Sequence, residues 1–382
     1  FLVDLLIFCK QFFLIIRGSL MSKRLEYISE PLKATHRITY GILGILLVSI
    51  GYGVFGLVVA QAISALIVGG IGLYYVSQEY DISKAAHFNT NVGRKKELFT
   101  FNIGSIMLTF LTASLYHVDI LLLRPFAGGV STGYYKAALV IAEFLWFVPD
   151  VLQTVLLHST SKIWSEGDSK RVSQLASKIT RYTLLFSLLI GIGLLSLAGS
   201  FLPIYYGPEF QNAVQPLLLL VPGALGLAVA RPIFAIGQGN GQLRPLIFAT
   251  GSAAVLNALL NLLLIPRFGM SGAAISTSIG YGSMLVLHTL AARRIGFDPL
   301  QELQYFRFLL LATISTPVIV GVPYLLNSDI LSLLIVPPVG FIIYMWLAVK
   351  LGILSIEEVS PIVSNAPAPV RNIVKKIQRY LS

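Results

Sequence analysis

Residues 182–203 read YTLLFSLLIGIGLLSLAGSFLP, without one charged side chain. About 20 apolar residues are what an α-helix needs to cross the hydrocarbon core of a bilayer. Comparable windows fall at 1–16, 37–52, 54–77, 100–123, 132–157, 212–236, 244–265, 270–291, 306–326 and 331–350. In lipid every backbone N–H and C=O must be satisfied within its own segment, so each window reads as helix. Across the 382 residues, 55% are hydrophobic and 12% charged, against about 25% charged in a soluble domain. The expectation is an all-α integral membrane protein of about eleven transmembrane helices. Pro149, Pro222 and Pro317 fall inside windows and are expected to kink them.

The net charge of +11 does not point to nucleic acid, because the basic residues sit in short loops between apolar runs. One set of alternate loops holds Arg17 to Arg37, then Lys84 to Lys96, Lys162 to Arg181, Arg244, and Arg293 to Arg307, and the tail adds Lys350 to Arg379. The opposite loops hold only Arg124, Lys136 and Arg267. A wrong span count would scramble this split, so the basic loops and the C-terminus are expected in the cytoplasm. A multi-pass protein of the cytoplasmic (plasma) membrane follows. Cys9 is alone, which removes an internal disulfide and any cysteine metal site. No HExxH, P-loop or GxGxxG strand–turn–helix unit is present, and no metal, cofactor or enzymatic activity is expected.

Two polar stretches carry further expectations. Residues 158–181 have apolar positions at helical spacing and suggest a cytoplasmic surface helix. In the tail, Val370, Ile373, Val374, Ile377 and Leu381 share a face ringed by Arg371, Lys375, Lys376 and Arg379. This describes a basic amphipathic helix on anionic lipid, although an ordinary charged tail satisfies the topology rule equally well.

The chain opens on Phe1 and is apolar at once, so its N-terminus reads as truncated. An internal repeat gives the same expectation. Gly53-Val-Phe-Gly56 and Gly269-Met-Ser-Gly272 each follow an apolar span and open the next, 216 positions apart (53 to 269). The first three spans then pair with those at 212–291, and the spans at 100–203 lack N-terminal counterparts. The division expected is 1–97 as a partial N-terminal lobe, 98–295 as a six-helix lobe, 296–350 as two extra helices and 351–382 as the tail. Three absent helices amount to on the order of a hundred residues.

Ionisable groups at bilayer depth cost roughly 2.5–3.5 kcal/mol on insertion scales and mark function by default. Lys136, Glu143 and Asp150 are spaced seven apart, almost two helical turns, and share one stripe. Around them lie His117, Asp119, Arg124 and Arg231, with Lys10 in the first span and the i,i+4 pair Asn257 and Asn261. The functional reading is a hydrated cavity. Lys10, Arg124, Lys136, Arg231, Asn257 and Asn261 would bind an anionic substrate, and Asp119, Glu143 and Asp150 would take a coupling proton or sodium ion. The structural alternative pairs Asp119 with Lys136, uses Asp150 to satisfy backbone freed by Pro149, and makes Arg231 a topology anchor.

Several segments together resemble one family. They are His117-Val-Asp-Ile-Leu-Leu-Leu, Thr132-Gly-Tyr-Tyr-Lys-Ala-Ala, Phe147-Val-Pro, Tyr206-Gly-Pro-Glu-Phe, Ile236-Gly-Gln-Gly-Asn, and the run from Asn261 through Ile265-Pro-Arg-Phe-Gly-Met-Ser-Gly to Thr277. They are similar to the polysaccharide transporters, the Wzx-type flippases of the multidrug/oligosaccharidyl-lipid/polysaccharide exporter superfamily. The resemblance spans nearly the whole chain and is strongest over 100–290. It implies the remnant of a two-lobe, 14-helix MATE/MOP-like transporter. Such a protein moves polyprenyl- or dolichyl-diphosphate-linked oligosaccharide between leaflets by alternating access. The implied partners are the lipid-linked oligosaccharide, membrane lipids and glycan polymerase or transferase machinery. A proton- or sodium-coupled drug antiporter of the same superfamily would need a net acidic cavity, whereas basic candidates outnumber acidic ones here. A polymerase or ligase would need catalytic groups in a large outer loop, and the loop near 203–212 offers only Glu209.

Overall fold

The computed structural model describes residues 2–23, 25–80, 92–326 and 328–354. These residues are helical nearly throughout and form two compact units, one up to Lys96 and one from Glu97 onward. Eight helical stretches are long and apolar enough to cross a membrane.

Three of these stretches, Glu26–Glu79, Asn102–Ser165 and Leu243–Ile295, have 54, 64 and 53 residues. At 1.5 Å per residue each would exceed about 75 Å, more than twice the roughly 30 Å hydrocarbon core. Each instead doubles back at a glycine. Backbone torsions leave the helical region at Gly51 (φ 98°), Gly128 (φ 80°) and Gly269 (φ 53°), where L side chains are strained and glycine is not. Pairings across the reversals show the hairpins. A Cβ on Gly44 would meet Leu57, Asp119 bonds Tyr135, and a Cβ on Gly280 would meet Asn257. The midpoints of these pairs fall on the glycines. Eight stretches with three reversals give eleven crossings among the described residues, the number read from the apolar windows.

In chain order these are α1 (Leu2–Ser22), α2 (Glu26–Leu47), α3 (Gly53–Glu79), α4 (92–127), α5 (129–165), α6 (Ser169–Tyr206), α7 (Val214–Gly239), α8 (243–268), α9 (270–295), α10 (Tyr305–Gly321) and α11 (Asp329–Lys350). The expected repeat has a local backbone counterpart. Gly53 (φ 50°, ψ −138°) and Gly269 (φ 53°, ψ −130°) share one conformation, and Gly56 and Gly272 each press onto the preceding helix.

In the first unit α1 lies against α3, where Gly69 admits Phe12 and Gly72 admits Ile16. Cys9, Phe13, Ile16, Leu20, Leu32, Ala65 and Val68 form its core. Arg17 bonds Glu30 at 2.5 Å and Ser64 bonds His36 at 2.9 Å, tying α1 to α2 and α2 to α3. In the second unit α7 packs on α9 so closely that a Cβ on Gly223 would fall 2.2 Å from the Ser278 backbone. Small residues at such crossings let helices associate in lipid, where no hydrophobic drive separates tail from side chain. Helices α10 and α11 lie along α6, with Tyr344 donating to the Leu185 carbonyl at 2.8 Å.

One expectation needs correction. No separate surface helix occupies 158–181: α5 runs to Ser165, a turn follows, and α6 starts at Ser169 with Asp168 capping the Arg171 N–H. The apolar periodicity there belongs to two transmembrane helices extended beyond the core. The prolines also act differently from one another. Pro149 follows a 3₁₀ segment, Glu143–Trp146, because it cannot donate to the carbonyl four residues back. Pro222 and Pro317 sit inside α7 and α10 without ending them. The amphipathic tail helix expected at 370–381 and the basic Lys84 lie outside the described residues.

Candidate functional site

The polar groups of the second unit sort into a buried set and an exposed set, both carried partly by α5. Asp119 of α4 is fully buried, and its carboxylate accepts from the Tyr135 hydroxyl, from Thr277 Oγ1 at 2.9 Å and from the Ile120 N–H at 2.7 Å. Tyr135 and Thr277 are fully buried as well, so three crossings are joined through one carboxylate. Asp119 does not pair with Lys136. Tyr135 occupies the inward position, and the next residue on a helix points about 100° away. Asn257 and Asn261 are buried beside this group, bonded to each other at 3.2 Å, with Asn257 packed on Gly280, one turn from Thr277. Asn261 Oδ1 has no hydrogen-bond partner among the described residues.

The exposed set is the seven-residue stripe. Lys136 and Asp150 are exposed and Glu143 is half-buried, while Leu139, Ala142 and Trp146 between them, and Tyr135 just before, are buried. Glu143 opens the 3₁₀ turn that precedes Pro149, so the backbone changes pitch at the acid.

Arg231 of α7 stands at the end of the stripe. Its guanidinium bonds Asp150, Gln153 Oε1 at 3.2 Å and the Tyr116 hydroxyl at 3.1 Å. It also lies over the Trp146 ring, 4.6 Å from the centroid, a cation–π contact. Its side chain is 13% exposed and that of Asp150 is 53%, so the pair is closed at the cation and open at the acid. Trp146 is held by its Nε1 on the Ala224 carbonyl at 3.1 Å, and it stacks on Tyr116 and meets Tyr281 edge-on.

A family profile described as "Polysaccharide biosynthesis protein" matches residues 5–215. The chain belongs to this family. A second profile, "Lipid II flippase MurJ", matches residues 116–341, which contain the whole charged cluster. Among relatives of the chain is the "Probable low-salt glycan biosynthesis flippase Agl15" of Haloferax volcanii, 23% identical over 68% of this chain and 54% of that one. The "Capsular polysaccharide biosynthesis protein CapF" of Staphylococcus aureus is 23% identical over 59% and 56%. An uncharacterized membrane protein of Methanocaldococcus jannaschii is 25% identical over 69% and 53%. The chain spans about half the length of these curated relatives. Its fold is that of the solved "Lipid II flippase MurJ, inward closed conformation", with a TM-score of 0.69, 15% identity, and coverage of 90% of this chain and 72% of that one. The family member is thus a multi-pass, all-α membrane protein of the polysaccharide flippase group resembled by its sequence.

Within it the candidate residues separate. Lys136, Glu143, Asp150 and Arg231 come together along α5 and α7, and Asp119, Asn257 and Asn261 form the buried set behind them. Arg124 and Lys10 are exposed and outside both sets, and none of the ion pairs among the described residues involves Arg124 or Lys136. Lys10 belongs to the first unit, between buried Cys9 and Phe13. Sequence reasoning missed Tyr116, Tyr135, Trp146, Gln153 and Thr277. Buried tyrosine and tryptophan bring a polar tip that needs a partner, and Tyr135 beside Lys136 was the available signal.

Proposed function

We propose that the protein carrying this chain moves a lipid-diphosphate-linked oligosaccharide across the cytoplasmic membrane by alternating access, for cell-surface glycan synthesis. Family membership and the relative named as a glycan biosynthesis flippase support this reading. The observation that carries it is the exposed stripe Lys136–Glu143–Asp150 within a membrane-crossing helix. Charges at that depth are tolerated where they meet water or each other, so this face of α5 lines a hydrated path. Lys136 and Arg124 are free to meet diphosphate oxygens. Arg231 is already held by Asp150, Gln153 and Tyr116, and serves as a positioned fork that a phosphate reaches only by displacing Asp150. Glu143 and Asp150 are the acids able to take up a coupling proton or sodium ion. Asp119, with the Asn261 amide oxygen nearby, forms a second and drier set. The basic loops and C-terminus face the cytoplasm in this reading, where glycan transferases or polymerases would be met.

The test is leaflet transfer of a fluorescent lipid-diphosphate oligosaccharide by the protein in proteoliposomes, beside Lys136→Ala and Glu143→Gln. Transfer that both variants lose supports the flippase. Absent transfer, with proton- or sodium-driven efflux of a cationic dye instead, would move the protein to the antiporter branch of the superfamily.

A further inference from the structure

Two cavities that share Ala198 lie among α6, α10 and α11, with Ile141 and Phe144 of α5 and Leu217 of α7 completing the wall of the larger. The larger, of about 490 Å³, is a groove lined by apolar side chains and glycines, from Leu189 to Phe201 on α6 and from Leu333 to Phe341 on α11. Along α6 this is about 18 Å at 1.5 Å per residue, somewhat more than half of a hydrocarbon core of about 30 Å. Its depth therefore suits a chain from one leaflet.

The second cavity, of about 470 Å³, lies at the end where α10 closes and α11 begins. Its lining includes Ser196, Ser200, Tyr324, Ser328, Asp329 and Ser332, and Asp329 is its one charged residue. Ser200 donates to Asp329 Oδ1 at 2.6 Å and so turns the carboxylate. Among the described residues nothing bonds Oδ2, and its lone pairs suit a donor from outside, since an ionised carboxylate accepts only.

We propose that these two cavities form one lipid site, in which an acyl chain occupies the apolar groove and a primary-ammonium headgroup, as in phosphatidylethanolamine, sits on Asp329. Charge complementarity selects the headgroup. A lone carboxylate attracts a cation that donates hydrogen bonds and repels a headgroup whose net charge is negative. The site lies on the membrane face opposite the basic loops and holds its lipid from that leaflet. It does not depend on what the charged stripe transports.

Native mass spectrometry of the delipidated full protein tests this. The probes are phosphatidylethanolamine, phosphatidylcholine and phosphatidylglycerol with identical chains. Phosphatidylethanolamine is expected to be retained about tenfold better than phosphatidylglycerol, the size of one charge-assisted hydrogen bond. Asp329→Asn should remove that preference and Asp329→Glu should keep it. Gly193→Leu fills the groove at a position with open space around a Cβ, and should lower retention of all three lipids. Should Asp329→Asn melt early, Ser200→Ala replaces it and should weaken the preference. Equal retention of the ethanolamine and glycerol lipids overturns the proposal, as does a preference that survives both substitutions. Phosphatidylcholine, which carries the charge without an N–H, overturns the donor assignment if it is held as well as phosphatidylethanolamine.

Discussion

Tyr135 and Lys136 are consecutive residues, yet they belong to chemically opposite regions. Tyr135 turns inward and, with Thr277, fills the acceptor sites of Asp119 in a dry interior. Lys136 turns outward and begins a stripe that continues through half-buried Glu143 to exposed Asp150, which is bonded to Arg231. Ionisable side chains at membrane depth are thus present in two states, one saturated and one available. A saturated carboxylate joins helices, whereas an available charge can exchange partners with a passing ligand. An acid in a transmembrane segment therefore marks function only once its partners are counted.

Several substitutions would break or sharpen this contrast. The largest effect is expected from Asp119→Ala, which leaves the buried Tyr135 and Thr277 hydroxyls without their shared acceptor. A loss of about 3 kcal/mol or more is expected, read as a sharply lower melting temperature of the purified protein. Thr277→Val should cost about 1–3 kcal/mol, because it removes one donor from a buried carboxylate, and the same melting curve measures it. Tyr135→Phe should fall in the same range or slightly below, since the ring still fills its space. On the other face, Lys136→Ala should change stability by no more than about 0.5 kcal/mol, while leaflet transfer in proteoliposomes falls at least about tenfold. An equal loss of stability from Lys136→Ala and Tyr135→Phe would erase the distinction between the two faces.

The eleven crossings were legible because each is an apolar run of bilayer length, and the charge asymmetry confirmed their parity. Where adjacent crossings join was less legible. At Gly128 and Gly269 the helical pattern of residues passes through the turn, and only the positive φ reveals it. The stripe was legible because a spacing of seven is a property of one helix. The partners of Asp119 and Arg231 were not, because they come from elements 158 and 81 positions away and no local period encodes them. The helical pattern at 158–181 fits a surface helix equally well, because a local period does not say whether a helix continues into the membrane; the residues belong to the meeting of two long helices.

The glycine reversals at 51, 128 and 269 bear on how the protein is made. Two helices joined by so short a turn have almost nothing to translocate between them, and they enter the bilayer as a pair. A substitution that the turn cannot accept would strand one helix during synthesis, where proteolytic quality control meets it. Damage at Gly269 should therefore appear as missing protein in the membrane, with whatever is assembled working at its ordinary rate.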